Sequence, residues 1–371
     1  MKLLIEKNIL LESLTNVMRA ISPKNIIPIL NGVMFDLRED GLYLTASDSD
    51  LTIRNFIPKE KIKNIAIPGK IVIQSKYLLE IIRKLPNGDI NIEVIDGLKI
   101  IISTDKTIYN LNCLDTADYP DINLEEVENP IVINSTTLKQ AFNKTLFAVS
   151  TQESRPILTG INLKINGNVM ECVATDSYRL AKKTITLDNA YDSRDIVIPG
   201  KNINELDKLI TEESDVEIHV FNNKIVFKYM NYIFQSSLLS GSYPNTNNLI
   251  PTKFEFVITT SLNDYYNAID RAALLTQNKD KNIIKMETNN TELLISSYAS
   301  EIGKSEESIL INKSNDQDIS ISFSSKYMID ALKTFEDEEL IIFLNNDSSP
   351  IILKSAKDET LIQLILPIKT Y

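Results

Sequence analysis

The chain has few of the residues on which catalysis and metal binding most often depend. Its 371 residues include one histidine, His219, and two cysteines, Cys113 and Cys172. Each cysteine lies in an apolar, strand-like run, so we expect two buried thiols in a reducing compartment, not a disulfide framework or a metal site. We expect His219, in a strand-like segment, on the protein surface. It has no nearby partner for a catalytic triad or a metal site.

Catalytic sequence motifs are also absent. We find no GxGxxG, no Walker loop, no GxSxG and no HExxH. Asp48 and Asp50 form the closest carboxylate pair; they could bind a cation, but a turn or strand-edge role is favoured. Asp176 and Arg179 could form an acid–cation pair, yet nothing beside them completes a mechanism. We therefore expect no enzyme, no cofactor and no metal.

Long apolar runs and a signal peptide are missing as well, so we expect a cytoplasmic protein with no membrane contact. The net charge is −11. This charge argues against a protein that simply coats nucleic acid, because phosphate contacts need clustered lysine and arginine. It leaves open a protein whose basic groups occupy one surface while acidic groups cover the others.

The chain does contain repeats with a domain-sized period. A strand followed by an amphipathic helix occurs around Ile5, Ile133 and Ile258, at intervals of 128 and 125 residues. The tetrapeptide Ile-Pro-Gly-Lys occurs at 67–70 and 198–201, and Tyr-Pro occurs at 119–120 and 243–244. These markers predict three similar α+β domains, residues 1–128, 129–251 and 252–371, each with two helices and many short strands.

The predicted helices carry more basic than acidic residues on their exposed faces. Lys139 and Lys144 are expected to point outward from the first helix of the middle domain, and Arg83 and Lys84 from the second helix of the first domain. Acidic residues instead gather in loops, as in Glu125-Glu126-Val127-Glu128. Any one such face could be ordinary solvated surface, but several in repeated positions favour a segregated basic surface.

One stretch near the midpoint differs from its repeats. Residues 174–181, Ala-Thr-Asp-Ser-Tyr-Arg-Leu-Ala, interrupt two strand-like runs and by themselves predict a turn. The other two domains lack the Arg179-Leu180 pair at the equivalent place. A feature that one repeat carries alone is less likely to be required by the fold, so we interpret it as a docking surface.

The whole chain resembles the bacterial sliding clamps, the beta subunits of DNA polymerase III. The stretch at 174–181 is similar to that family's ATDxxRL signature, and Leu366-Pro367-Ile368-Lys369 is similar to its closing segment. Pro28-Ile29-Leu30 and 155–158 also match family positions. The resemblance implies the DNA clamp fold, with helices packed on antiparallel sheets, in a head-to-tail homodimeric ring that encircles duplex DNA and makes the replicative polymerase processive.

The resemblance also implies site residues and partners. A peptide-binding pocket would comprise Arg155, Leu158, Thr175, Ser177, Tyr178, Arg179, Leu180, Pro244, Leu249, Tyr327, Leu364, Leu366, Ile368 and Lys369. It would capture the polymerase III catalytic subunit, the clamp loader, other polymerases and mismatch-repair proteins. Lys24 matches a position that touches DNA, and we add the helix-associated cations Arg19, Arg83, Lys84, Lys139, Lys144 and Lys201. The dimer interface would include Tyr109, Leu111, Leu274 and Leu275.

Some residues depart from the family pattern, and two other functions remain open. Ser177 stands where glycine is common, Asn248 stands where arginine is often found, and Thr370-Tyr371 extend past the usual end; these departures affect the expected peptide preference. The chain could instead be an enzyme centred on Asp176 and Arg179, or a scaffold that never touches DNA. Plain core packing is the alternative role for each apolar pocket or interface residue.

Overall fold

The computed structural model describes residues 1–96, 98–276 and 282–369, so Thr370 and Tyr371 lie outside the described part. The chain forms two compact units. The first contains Met1–Leu138 and Lys201–Leu238, and the second contains Lys139–Gly200 and the residues from Leu239 onward. The predicted middle domain therefore contributes to both units.

The elements follow the repeats found in the sequence. Those of the first third are β1 (Lys2–Glu6), α1 (Lys7–Val17), β2 (Gly32–Arg38), β3 (Gly41–Ser47), β4 (Leu51–Pro58), β5 (Ile62–Ile67), β6 (Gly69–Gln74), α2 (Ser75–Lys84), β7 (Asp89–Ile95), β8 (Lys99–Ser103) and β9 (Ile108–Leu114). Those of the middle third are β10 (Ile131–Asn134), α3 (Ser135–Leu146), β11 (Gly160–Thr175), β12 (Arg179–Pro199), α4 (Gly200–Leu209), β13 (Asp215–Val220), β14 (Lys224–Tyr229) and β15 (Tyr232–Ser237).

The last third repeats the same order. Its elements are β16 (Phe256–Ser261), α5 (Leu262–Ala273), β17 (Ile283–Asn289), β18 (Glu292–Ala299), β19 (Gly303–Leu310), β20 (Asn312–Lys313), β21 (Ser320–Ser324), α6 (Ser325–Leu332), β22 (Glu339–Leu344), β23 (Ile351–Lys354) and β24 (Leu361–Ile365). The opening strand of each third, β1, β10 or β16, pairs antiparallel with the strand after the second helix, β7, β13 or β22. The predicted strand–helix repeats and the antiparallel sheets are confirmed.

Strand pairing explains why the middle third is divided. In the first unit, β15 pairs antiparallel with β4, with Ser236 opposite Leu51, and this pairing belongs to one 13-stranded sheet. In the second unit, β24 pairs with β12, with Leu364 opposite Leu180, within a 7-stranded sheet. The last strand of one repeat thus continues the sheet of the preceding repeat.

Apolar side chains at helical spacing hold each helix against its sheet. On α1, Leu10, Leu14 and Val17 are fully buried, and on α5 Tyr265 and Ile269 are fully buried. Full burial of one such side chain stabilises the fold by about 1.5–3 kcal/mol. The packing uses one face of each helix and leaves the other face for charged residues.

The histidine prediction was wrong, because His219 is buried. Its Nδ1 accepts a hydrogen bond from the backbone N–H of Val127 at 3.0 Å, so the linker before β10 covers this side of β13. Burial, followed by the positive charge of Lys228, lowers the pKa of the imidazole. A strand has two faces, and the sequence pattern did not reveal that the linker would cover the second one.

The thiol prediction is confirmed. Cys113 and Cys172 are both buried and unpaired, and burial raises their pKa values to about 11 and about 12. Both thiols therefore remain protonated near neutral pH. Separately, no helix in the described ranges is long and apolar enough to cross a membrane.

Candidate functional site

The turn between β11 and β12 is stabilised by its own polar side chains. Asp176 Oδ1 accepts hydrogen bonds from the backbone N–H groups of Tyr178 and Arg179, at 3.0 and 3.1 Å. The Thr175 hydroxyl donates to the Arg179 carbonyl at 2.6 Å. Ser177 has a positive φ of 78°, a conformation that glycine adopts without strain. The predicted turn is confirmed, and its left-handed φ gives a geometric reason for glycine to be favoured at this position.

The equivalent turn of the first third has the same construction. Asp48 Oδ1 accepts from the N–H groups of Asp50 and Leu51, at 3.1 and 2.8 Å, and Ser49 has a φ of 79°. The turn role expected for Asp48 is therefore confirmed. Because both repeats contain this backbone turn, the turn itself belongs to the fold, and only the side chains around it distinguish the second unit.

Arg179 is the most constrained side chain of the candidate site. It is 9% exposed, and its Nε and Nη1 donate to Asp176 and Asp330 at 3.0 and 2.7 Å. Its guanidinium lies over the rings of Tyr327 and Phe147, at 4.6 and 5.2 Å from their centroids. A guanidinium held by two carboxylates and two rings positions its neighbours, and little of it is left for a ligand.

Leu180 and Leu364 form the floor of the site. They face each other across β12 and β24 and pack with Val173 and Ile352 in one buried cluster. Tyr243 is partly buried beside this cluster, and its hydroxyl accepts a hydrogen bond from the Thr175 N–H at 3.0 Å. The burial of these residues is what core packing, the alternative role considered for the apolar members, predicts; the pocket role of Leu180 and Leu364 stays a prediction. The same holds for Leu158, which is buried.

An exposed apolar rim lies above this floor. Tyr178 is 60% exposed and Leu366 is 37% exposed, and the Leu366 N–H donates to the Tyr178 carbonyl at 2.9 Å. The rings of Tyr178 and Tyr327 stack with centroids 6.4 Å apart. Leu249 is also exposed, whereas Ile368 is half-buried and its N–H donates to the Ser322 carbonyl. Arg155, Ser177, Pro244 and Lys369 are exposed at the margin.

The corresponding place in the first unit has a polar rim. There the Ser237 N–H donates to the Asp50 carbonyl at 2.7 Å. This bond is the equivalent of the one from Leu366 to Tyr178 in the second unit. The two apolar rim residues are thus replaced by serine and aspartate. All fourteen predicted pocket residues lie in the second unit, and the apolar rim distinguishes that unit from the first.

Sequence reasoning missed Phe147 and Asp330, the ring and the carboxylate that hold Arg179. Asp330 lies three residues after Tyr327 on α6. Glu205 occupies the equivalent position on α4, the second helix of the preceding repeat. In the first unit Glu205 lies 3.4 Å from Arg19. The repeated acidic residue was therefore a signal that could have identified Asp330.

The predicted DNA-contacting cations differ in their exposure and in whether a carboxylate lies next to them. Lys24 and Lys84 are exposed, and Lys139 is half-buried. Arg83 pairs with Glu80 on its own helix, and Lys201 lies 3.1 Å from Asp50. Together with the Arg19–Glu205 pair, these contacts offset part of the positive charge expected on the helix faces.

Lys144 departs furthest from expectation. It was expected to point outward, but its side chain is largely buried and its Nζ donates to Asp358 at 3.4 Å. Burial alone would raise the pKa of Asp358; hydrogen bonds from Lys183 and Thr360, and the charges of Lys183 and Lys144, nevertheless hold it at about 2. The cause of the error is tertiary, since Asp358 lies 214 residues away in sequence.

The four predicted interface residues lie on β9 and directly after α5. Tyr109 and Leu111 are half-buried on β9. Leu274, directly after α5, is exposed, and Leu275 is half-buried.

Comparison with known families agrees with this architecture. Models of the N-terminal, central and C-terminal domains of the DNA polymerase III beta subunit match residues 1–124, 132–245 and 247–369. The chain belongs to the DNA polymerase III beta-subunit family. The matched ranges cover nearly the whole chain, in the order of the three repeats.

Individual relatives agree along their full lengths. The chain is 40% identical to the beta sliding clamp of Bacillus subtilis and 36% identical to that of Staphylococcus aureus, covering 100% of each. Crystal structures of the Bacillus subtilis sliding clamp and of the Streptococcus pneumoniae polymerase III beta chain match with TM-scores of 0.97 and 0.96, at 40% and 34% identity and full coverage. This beta-subunit chain therefore has a clamp role in DNA replication.

Proposed function

We propose that the chain acts without catalysis, as a head-to-tail homodimeric ring that encloses duplex DNA and tethers replication proteins through the rim of Tyr178 and Leu366. The observation that carries the proposal is the repeated strand pairing between successive repeats. It recurs twice within the chain, as β15 on β4 and β24 on β12. A second copy of the chain supplies the third instance.

Two edges are available for that third pairing. Residues 108–112 of β9 pair with β8 along one side only, and β19 is the terminal strand of a four-stranded sheet. These strands are the counterparts of β15 and β4. Both carry exposed residues, including Ile108 at 67% exposure. An open edge invites strand addition, and a closed ring of two chains leaves neither edge open.

The repeats also predict the register of this interface. The Tyr-Pro marker after β9 and β15 matches Ile108 with Tyr232, and the buried isoleucines of β4 and β19 match Asn55 with Glu307. Because Tyr232 pairs with Asn55 in the first unit, Ile108 pairs with Glu307 of the partner subunit in the proposed dimer. Leu274 then covers the same junction from the end of α5.

DNA would be held by topology and by weak phosphate contacts. Contacts to phosphate carry no sequence information, and their strength falls with salt. Arg19, Arg83 and Lys201 already have carboxylate partners, whereas Lys24 and Lys84 are exposed cations. Partial neutralisation suits a ring that must slide. We assign phosphate contact first to Lys24 and Lys84.

The exposed rim suits a short linear peptide with an apolar anchor. Tyr178, Leu249 and Leu366 offer apolar area, and the buried Leu180–Leu364 floor supports it. Rigid apolar anchors of this kind carry most of the binding energy of small interfaces. We propose as partners the polymerase III catalytic subunit, the clamp loader, other polymerases and mismatch-repair proteins.

Retention on DNA tests the ring. The protein is loaded onto nicked circular DNA by its cognate loader and ATP. The sample is then divided, and the DNA in one portion is linearised. We expect the protein to stay on circles and to leave linear molecules by sliding off their ends. Equal retention on both forms would contradict encirclement, and ATP-independent turnover of any substrate by the purified chain would contradict a non-catalytic role.

A further inference from the structure

Two largely buried lysines of the second unit have asparagines at the equivalent positions of the first unit. Asn16 on α1 and Asn55 on β4 precede Lys144 on α3 and Lys183 on β12 by 128 residues each. The backbone around them is the same. The residue after each strand position donates its N–H to the adjoining hairpin, Phe56 to Asn231 at 2.9 Å and Thr184 to Thr360 at 3.0 Å.

In the second unit, two ammonium groups share one carboxylate at this place. Lys183 Nζ donates to both carboxylate oxygens of Asp358 at 2.7 Å and to the Thr360 hydroxyl at 2.6 Å. Lys144 Nζ reaches the same carboxylate at 3.4 Å. This arrangement fills the space between the helix, the strand and the hairpin with N–H donors.

In the first unit, the donors are missing and an acceptor is left over. Asn55 is buried, and its Nδ2 makes only a long contact of 3.4 Å to the Asn231 carbonyl. Its Oδ1 has no hydrogen-bond partner among the described residues. Asn16 is occupied by the Tyr232 hydroxyl at 2.9 Å. A buried acceptor without a donor is unfavourable, and such groups are few in folded proteins.

A cavity of about 250 Å³ lies at this same place. Asn55 lines it, together with the outer face of α1, the end of β4, the C-terminal end of α4 and the hairpin between β14 and β15. Its charged lining residues are Glu12, Glu212 and Lys61, so carboxylates outnumber cations. The second unit has the carboxylate of Asp358 and the ammonium groups of two lysines in the matching space.

We infer that this cavity binds a primary ammonium group of a small organic cation, which takes the place that a lysine ammonium occupies in the second unit. The Asn55 amide oxygen supplies the acceptor, and Glu12 and Glu212 supply negative charge in the lining. The proposal does not depend on peptide capture or on DNA encirclement. The same chemistry could arrive as a free diamine or as a lysine side chain, and the test separates the two.

The probe for the test is 1,4-diaminobutane, titrated into the full-length protein by calorimetry, with 1,4-butanediol as an uncharged ligand of the same length. We expect one diamine bound per chain, no heat from the diol, and weaker binding as salt rises. Asn55→Leu removes the orphan acceptor, and Glu212→Gln removes charge while leaving Asn55 intact. Each should weaken diamine binding at least about tenfold, whereas Glu39→Gln, at an exposed acid that is not among the cavity-lining residues, should not.

A parallel titration with N-acetyl-lysine methylamide distinguishes the sources. Tighter binding of the diamine supports a free cation, whereas tighter binding of the lysine derivative would overturn that assignment in favour of a protein side chain. The site itself would be contradicted by equal binding of diol and diamine, by unchanged affinity in both Asn55→Leu and Glu212→Gln, or by no binding up to about 10 mM. A crystal soaked in the diamine whose cavity holds only water would also contradict it.

Discussion

Arg179 Nη1 lies 2.7 Å from Asp330 Oδ2, and this contact joins the β11–β12 turn to helix α6. The two residues belong to the predicted middle and last domains, so the ion pair crosses a domain boundary within the second unit. The guanidinium is nearly fully buried while Tyr178 beside it is exposed. Arg179 therefore acts by holding the rim in position, and Tyr178 is the residue that a peptide touches in the proposed complex.

Replacing Asp330 should weaken both the junction and the rim. Asp330→Asn leaves Arg179 with Asp176 as its remaining carboxylate. We expect a loss of about 1–2 kcal/mol in the free energy of unfolding, measured by urea denaturation, together with weaker binding of a polymerase-tail peptide. Asp316→Asn, an exposed acid of the same unit, is the matched control. Full stability in Asp330→Asn would show that the pair is dispensable.

Leu366→Ala tests the rim directly. The change removes apolar area from an exposed side chain, so the fold should lose little stability, while affinity for a peptide with a Leu or Phe anchor should fall about tenfold or more. Val169→Ala is the control, because Val169 is 37% exposed, as is Leu366, and lies in the same unit outside the rim. Fluorescence anisotropy with a labelled peptide measures both. Equal losses in the two variants would argue against a specific pocket.

Ser177→Gly should stabilise the protein. The left-handed φ at this position is strained for serine but not for glycine, although glycine loses more backbone entropy on folding. We expect a net gain of about 0.5–1 kcal/mol, and a similar gain for Ser49→Gly, whose φ is nearly identical. Ser177→Ala keeps the strain and should show no gain. Thermal unfolding measures all three variants, and destabilisation by glycine would refute the strain argument.

Acid should remove the contribution of Asp358. Its folded pKa of about 2 lies below the ordinary value of an aspartate, so its stabilisation is complete above about pH 4 and is lost as the pH falls towards 2. Because the group is partly exposed, we expect a deficit of about 1 kcal/mol in Asp358→Asn at pH 6. The deficit should shrink between pH 4 and pH 2. A deficit independent of pH would contradict this mechanism.

The proposed dimer depends on β9 and β19. Ile108→Asp places a carboxylate opposite Glu307 of the partner subunit and removes apolar area, so we expect a shift from dimer to monomer in analytical ultracentrifugation. Leu274→Asp should act similarly from the end of α5. The control is Ile26→Asp, because Ile26 is an exposed isoleucine outside both edges. A dimer that persists in Ile108→Asp and Leu274→Asp would move the interface elsewhere.

The repeats were predictable from the sequence because each depends on local chemistry. Alternating and helical apolar patterns, the Ile-Pro-Gly-Lys and Tyr-Pro markers and the turn residues Asp48 and Asp176 act within a few positions of themselves. The resemblance to the beta subunits rested on the same short segments. The domain boundaries at 128 and 251 and the roles of individual site residues stay predictions.

The amino-acid sequence by itself determined the three strand–helix repeats, the burial of both thiols and the turn that bears Arg179. Only the tertiary structure decided that His219 is covered by the linker, that Lys144 is held by Asp358, and that Arg179 is held by Asp330. The physical reason is distance along the chain. Each of these contacts joins segments that lie far apart in sequence. Pairing of β10 with β13 brings the linker to His219, and pairing of β24 with β12 brings the other two contacts together. No local pattern records either pairing.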